Sequence, residues 1–339
     1  MPAPIDLAPQ RSSRLCAFLA LVCTCALWGL SFPAMKALGL HLAALDPGIS
    51  TWFAAAATLV VRFGSSAALL ASFAWRRPTG AEWRQGLWLG LFSGTGMLFQ
   101  MDALNFTAAS TGAFLTQGYI VVLPLVAAVA ARALPSPKIV VCVLTIASGL
   151  AVLSGFELTR MRLGRGETET LLASLCFAAQ ILCLDHARYR ANRTRVVSIL
   201  MFAGVTLLLL PVAALTARRV ADVGLLVATP SAAGLVLLLS VPCTVVAFSL
   251  MNRYQPEVSA SEAGIIYGAE PLFASLFSLF LPNFFAGLAG IVYANEQLTG
   301  RLLVGGGLVV IANVLLQLRF GSGGARAADA APPPAAPST

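Results

Sequence analysis

Apolar residues in this chain come in long unbroken runs and do not alternate or recur on one helical face. Ten such stretches lie at roughly 15–35, 52–75, 86–106, 111–131, 139–156, 169–187, 196–216, 232–252, 263–281 and 302–320. A helix needs about 20 apolar residues to cover about 30 Å of hydrocarbon, so each stretch predicts a membrane-spanning helix. The fifth and ninth are the shortest. Strands of a closed barrel would alternate with period 2, which these segments do not. The pattern divides five and five. It predicts an all-α integral membrane protein of ten transmembrane helices, with repeats at 15–156 and 169–320 joined by an extracytoplasmic loop at 157–168. An odd number of helices in the first half forces the second half into the membrane upside down, so the repeats are expected to be inverted. Residues 1–14 and the Gly, Ala and Pro-rich tail 321–339 carry no apolar period and are expected to be disordered.

The halves share traces of one ancestor pattern. A slide of 150 positions lays Ala113–Leu125 over Ala263–Ser275, matching Ala113 to Ala263 and Gly118 to Gly268. Inverted repeats of this kind place a substrate site at mid-membrane between the halves.

Composition agrees with the membrane reading: 58% of the 339 residues are hydrophobic, 11% are charged, and the mean hydropathy is +0.84. The net charge of +8 suggests nucleic acid until its placement is read. Of 22 basic residues, Arg62 alone lies deep inside a predicted span, Arg319 standing at the cytoplasmic end of the tenth. With the N-terminus inside, 14 of the other 21 fall on the cytoplasmic side and seven outside. That bias predicts cytoplasmic termini in an inner membrane and leaves no case for nucleic acid. The first stretch does not read as a cleaved signal, because Trp28, Phe32 and Pro33 stand where small residues would be needed. Seven scattered cysteines and two histidines show no metal-ligand spacing, so neither a metal nor a cofactor is expected.

Function must come from the breaks and polar groups within the spans. Proline frees the carbonyl four residues earlier, which points to Pro33, Pro124, Pro242 and Pro271 as helix breaks. Pro124 and Pro271 fall in the corresponding fourth and ninth spans, where they read either as ordinary kinks or as a transport site. A charge at mid-membrane costs about 2.5–3.5 kcal/mol on insertion scales, so Arg62 and Glu270 carry a functional expectation. Arg62 requires a carboxylate partner or water, with Glu270 or Asp102 as candidates. Asp185 reads as an interfacial anchor. Gln100, Asn105, Thr116, Gln117, Gln180 and Tyr267 either line a hydrophilic path or bond between helices. Gly86, Gly90 and Gly94 read as close helix packing.

Four motifs resemble one family. Trp28-Gly29-Leu30-Ser31-Phe32-Pro33, Arg62-Phe63, the run from Ala103 to Thr116 (ALNFTAASTGAFLT), and Ala269-Glu270-Pro271-Leu272-Phe273-Ala274 together resemble the EamA-like branch of the drug/metabolite transporter superfamily across roughly residues 15–320. The resemblance implies two inverted five-helix repeats, a central cavity and movement of small metabolites, often export of amino acids or toxic analogues. On it, Trp28, Phe32 and Tyr267 become aromatic walls of the substrate pathway, and Gln100, Asn105, Thr116, Gln117 and Gln180 its hydrogen-bonding groups. Arg62 becomes its attraction for a carboxylate. Glu270 leads as coupling candidate, with Asp102 second, if a proton gradient drives transport. The chain departs from the family after the Glu-Pro pair. Asn295-Glu296-Gln297-Leu298-Thr299 arrives twenty-six residues after Glu270, so the stretch around 282–300 either lengthens the ninth helix or lies as a short outer segment.

The function expected is a secondary transporter working by alternating access on a small-molecule substrate, with the lipid bilayer as its surroundings. A homodimer stays open. The alternatives are a channel-like facilitator or, more remotely, a membrane sensor or scaffold. An enzyme is not expected, since no nucleophile–base set, HExxH or GxSxG element is present, and no Walker-type loop supplies ATP drive.

Overall fold

The computed structural model describes residues 8–106, 115–154 and 164–317, and among these every regular element is a helix. The predicted tails beyond this range, the 157–163 part of the connecting loop and Thr107–Phe114 of the third motif lie outside the described residues.

The elements follow the apolar runs. They are α1 (Ala8–Leu45), α2 (Thr51–Ala74), α3 (Gly80–Ala103), α4 (Tyr119–Ala131), α5 (Pro137–Ser154), α6 (Arg165–Asp185) and α7 (Thr194–Thr216). Then come α8 (Pro230–Ser240) and α9 (Ala247–Tyr254), joined by a π-helical turn over Val241–Val246. The last are α10 (Ala260–Tyr267), α11 (Glu270–Ser278), α12 (Leu281–Ala289) and α13 (Gly300–Gln317).

By length and composition alone, five described helices can cross a membrane: Arg14–Leu45, Thr51–Phe73, Arg165–Asp185, Thr194–Thr216 and the joined Pro230–Glu257. A sixth exists if Ala260–Ser278 and Leu281–Ala289 form one span bent by 60°. Shorter apolar stretches of the described residues lie at Tyr119–Ala131, Pro137–Gly149 and Leu303–Ala312, within α4, α5 and α13. In α3, Gly86, Ser93, Gly94, Gly96, Gln100 and Asp102 dilute the apolar run, and these residues are buried against other helices.

The predicted breaks resolve differently from one another. Pro33 sits inside a continuous α1, and Pro124 inside a continuous α4. Pro242 falls in the π turn, where Thr244 Oγ1 donates to Leu239 O at 2.8 Å. The ninth stretch does break: α10 ends at Tyr267, and α11 restarts at Glu270 with Pro271 in its first turn. Pro211 inside α7 is a further interior proline that sequence reading did not single out.

Helices of the first half pack mainly on helices of the second. Thus α2 and α3 pack on α7, α3 on α6, α5 on α13, and α1 on α8, α9 and α11. Close approach needs small residues, and Gly90 meets Gly204 across the α3–α7 seam, where an added Cβ would lie 3.0 Å from Gly204 Cα. The α1–α11 seam is tighter. A Cβ on Gly29 would fall 2.6 Å from Phe273 Cβ and 2.8 Å from the Ala274 nitrogen. Gly29→Ala is therefore expected to destabilise the fold by about 1–3 kcal/mol. The check is a lowered thermal transition of the purified protein in detergent, with an unchanged transition excluding this tight seam.

One end of the bundle is clamped by charge. Glu82, whose side chain is 2% exposed, forms a capping box with Thr79. It also accepts from Arg193 N at 3.0 Å, Arg193 Nε at 2.7 Å and Arg193 Nη2 at 2.8 Å. Arg193 also donates to Arg77 O at 2.7 Å, and Asn192 Nδ2 to Gln85 Oε1 at 2.8 Å, so the α2–α3 loop is tied to the start of α7. The Arg193 guanidinium, helped by the Thr79 backbone, lowers the Glu82 carboxyl from 4.5 to about 2. Because the folded value lies below the unfolded one, the clamp's contribution is full above about pH 5 and fades as pH falls toward 2. Glu82→Gln is expected to cost about 1–2 kcal/mol at neutral pH, limited by the half-exposed arginine. It should also remove this part of the acid-induced loss of stability. Thermal transitions measured from pH 7 to pH 3 check it: parallel acid profiles for the two proteins would contradict the clamp.

The stretch around 282–300 becomes α12 and an extended segment, turned across the end of the bundle where α1 terminates. The helix resumes at Leu281, beside Pro282, after a 60° bend, so both alternatives, a lengthened ninth helix and a short outer segment, stay open. Helix α1 runs to Leu45, well past its predicted end at 35, and its last turns hold this crosspiece. His41 Nδ1 lies 2.8 Å from Ala289 O, and its Nε2 lies 2.8 Å from Thr229 Oγ1. The Lys36 ammonium stands 6.0 Å above the Tyr293 ring, and Ser231 Oγ donates to Leu288 O at 2.5 Å.

Candidate functional site

A cavity holding about 520 Å³ of empty space, part of it open to solvent, lies between the halves. The first half supplies Trp28 and Ser31 from α1, Arg62 from α2, Met97 and Gln100 from α3, and Thr116 and Tyr119 around the start of α4. The second half supplies Phe177, Gln180 and Ile181 from α6, Phe248 and Met251 from α9, Tyr267 from the end of α10 and Glu270 from the start of α11.

The motifs met in sequence converge here. Gly29 brings α1 against Phe273 and Ala274 of the Glu-Pro motif. The neighbouring Trp28 ring then sits 5.5 Å from Tyr267 and 5.1 Å from Phe248. Phe63, beside Arg62, packs at 5.7 Å on both Phe202 and Phe248. The aromatic wall is thus built from α1, α9 and α10, with Phe63 and Phe202 behind it. The Trp28 indole Nε1 is buried with no hydrogen-bond partner in the structure, which leaves a donor at the wall.

Arg62 is 1% exposed and lies against the π turn. Its Nε donates to Thr244 Oγ1 at 2.5 Å, Nη2 to Cys243 O at 3.0 Å, and Nη1 points to Met35 Sδ at 3.5 Å. The expected carboxylate partner is therefore corrected. Backbone and hydroxyl oxygens hold the guanidinium, because the widened turn turns a carbonyl sideways toward α2. Glu270 is 7% exposed and forms no ion pair among the described residues. Gln117 Nε2 donates to its Oε2 at 3.5 Å.

Other polar residues of the wall are tied to one another. Gln100 Nε2 donates to Thr116 Oγ1 at 3.2 Å. Gln180 Oε1 accepts from Ser93 Oγ at 2.7 Å, and the Tyr267 hydroxyl donates to Gln255 Oε1 at 3.2 Å. Of the sequence candidates, Trp28, Arg62, Gln100, Thr116, Gln180, Tyr267 and Glu270 line the cavity. Four do not. Phe32 is buried in the apolar core. Asn105 Nδ2 donates to Asp102 O at 2.9 Å, closing the last turn of α3. Gln117 stands behind Glu270, and Asp102 pairs with Arg165 away from the cavity. Sequence reading missed Tyr119, Phe177, Phe248 and the two methionines, because aromatic and aliphatic residues are equally at home facing lipid.

Comparison with known proteins agrees with this architecture. Residues 165–318 match the model of the EamA-like transporter family. A protein of Archaeoglobus fulgidus described as an uncharacterized transporter is 27% identical over 266 residues, spanning 78% of each chain. A solved crystal structure of another protein superposes with a TM-score of 0.61 at 18% identity, covering 91% of this chain and 98% of that one, a likeness of fold alone. With its apolar helices, the chain is a multi-pass membrane protein of transporter type whose second half is similar to the EamA-like transporter family.

Proposed function

We propose that the chain is a secondary transporter that moves small metabolites, amino acids or related compounds, outward across the inner membrane by alternating access. The observation that carries this reading is the cavity itself. It lies between two halves, is walled by both, and holds an arginine and a carboxylic group that, among the described residues, form no ion pair. A substrate with a carboxylate would find Arg62, and one with an amino group would find Glu270 and the aromatic faces.

Ten spans as two inverted repeats remain part of the proposal, and the packing supports it. If α8–α9 is the eighth span and α10–α11 the ninth, then α2–α7, α4–α10 and α5–α13 are contacts between equivalent spans. The remaining contacts swap in the matching way: α1 packs on the eighth and ninth spans, while α6 packs on the third and fourth. Such exchange follows from a two-fold axis in the membrane plane. With both termini cytoplasmic, α12 lies at the outer mouth.

Glu270 serves as the protonation switch. It begins the helix that restarts after the ninth-span break, so a change in its charge acts at a joint. Uptake of a labelled amino-acid and nucleoside panel into proteoliposomes, with and without a pH gradient, tests the reading. Saturable flux of at least one solute is expected, and no flux of any from correctly inserted protein would overturn it.

A further inference from the structure

We infer that Asp102 and Glu169 form a second proton-binding site, a carboxyl pair that holds one shared proton under a single guanidinium. Asp102, at the end of α3, is 0% exposed, and Glu169, one turn into α6, is 8% exposed. Arg165 lies between them, Nη2 donating to Asp102 Oδ2 at 2.5 Å and Nε to Glu169 Oε1 at 2.8 Å. Its guanidinium carbon sits 4.1 Å from the centre of the Phe106 ring, which fixes the plane of the fork.

The oxygens left over identify the ligand. Asp102 Oδ1 and Glu169 Oε2 are both buried, and neither has a hydrogen-bond partner among the described residues. Both carboxyl groups are gathered on the one Arg165 guanidinium. Two carboxylate oxygens cannot bond to each other without a proton, and buried polar atoms are seldom left unpaired. One proton resolves both orphans: the protonated acid donates to the other carboxylate. It also balances charge, since one guanidinium neutralises only one of two buried carboxylates. A metal cation is a poorer occupant, because the guanidinium already fills one oxygen of each acid.

Among the described residues, the neighbouring charges do not substitute for that proton. On α6, Glu167 Oε2 accepts from Gly164 N at 3.0 Å, capping the helix. Tyr119 is the titratable side chain of α4. On α2, Arg62 is engaged with Thr244 and Cys243, and past the end of α7, Arg218 is bound to Asp46. Arg165 itself is 47% exposed, so the pair has a route to water. The site lies half a turn beyond Gln100 on α3, which places proton binding next to the cavity wall without entering it. The assignment deepens the transport reading and rests on it for the site's role, though not for the binding itself.

Infrared difference spectra of the purified protein, recorded between neutral and alkaline pH in lipid nanodiscs, test it. Glu270→Gln is used as the background to remove that carboxyl's own signal. A protonated-carboxyl carbonyl band is expected at neutral pH and should be lost in both Asp102→Asn and Glu169→Gln, because each remaining acid then has Arg165 to itself and ionises. A band that survives either substitution, or that is missing from the background protein, overturns the assignment. Should those variants fail to fold, Asp102→Glu and Glu169→Asp should each shift the band, and an unmoved band overturns it equally. Failure of solute flux would retire the transport reading and leave this result standing.

Discussion

Replacement of Arg62 by alanine is expected to be the most damaging single change in the membrane core. It removes a side chain that is 1% exposed and leaves the Cys243 carbonyl and the Thr244 hydroxyl without their donor. Hydrogen bonds to charged groups contribute about 1.5–3 kcal/mol, against about 0.6 kcal/mol for an average interhelical bond in a membrane. A loss of about 3 kcal/mol is therefore expected for Arg62→Ala, and about 1 kcal/mol for Thr244→Val. Arg62→Lys should fall between, because an ammonium keeps the charge but cannot present a planar fork to both acceptors. Thermal unfolding in one detergent orders the three. If Thr244→Val proved as harmful as Arg62→Ala, the guanidinium would not be what ties α2 to the π turn. Solute flux should be lost along with stability in the alanine variant, since the same side chain faces the cavity.

Glu270→Gln is expected to act differently, sparing the fold while uncoupling it. The amide is nearly the same size and keeps an oxygen for the Gln117 donor. It cannot gain or lose a proton. Uptake driven by a pH gradient should fall to the level of empty liposomes, whereas exchange of labelled for unlabelled solute at equal pH should remain. Full gradient-driven uptake by this variant would remove Glu270 from coupling and make Asp102 with Glu169 the place to look.

Much of the site was legible because it was written in exceptions. Arginine and glutamate inside apolar runs, and prolines at matching spans, stand out against leucine and alanine. The motifs around Trp28, Arg62 and Glu270 do converge on one cavity. The partners of those residues were not legible. Arg62 was expected to need a carboxylate, yet its acceptors come from a π turn around Pro242, and a carbonyl's direction has no signature in sequence. Asp102 stood out as buried acid, but its companions Arg165 and Glu169 sit at the start of α6, where charges read as a helix cap and loop. Span counting was limited by the same physics. Helix α3 spends glycine and polar residues on its seams with α6 and α7, so its hydropathy falls although it is buried. In α1 the helix runs past its predicted end at 35, and Lys36 and His41 there hold the crosspiece at α12.

The central claim is that the cavity is reached from one side at a time, and counterflow measures this most directly. Proteoliposomes are loaded with unlabelled solute, diluted into a trace of labelled solute, and followed with no ion gradient. A carrier returns loaded more readily than empty, so the label should transiently accumulate above its external concentration. Entry that rises only to equilibrium, with a rate unaffected by the solute inside, would contradict alternating access and make the protein a channel-like facilitator.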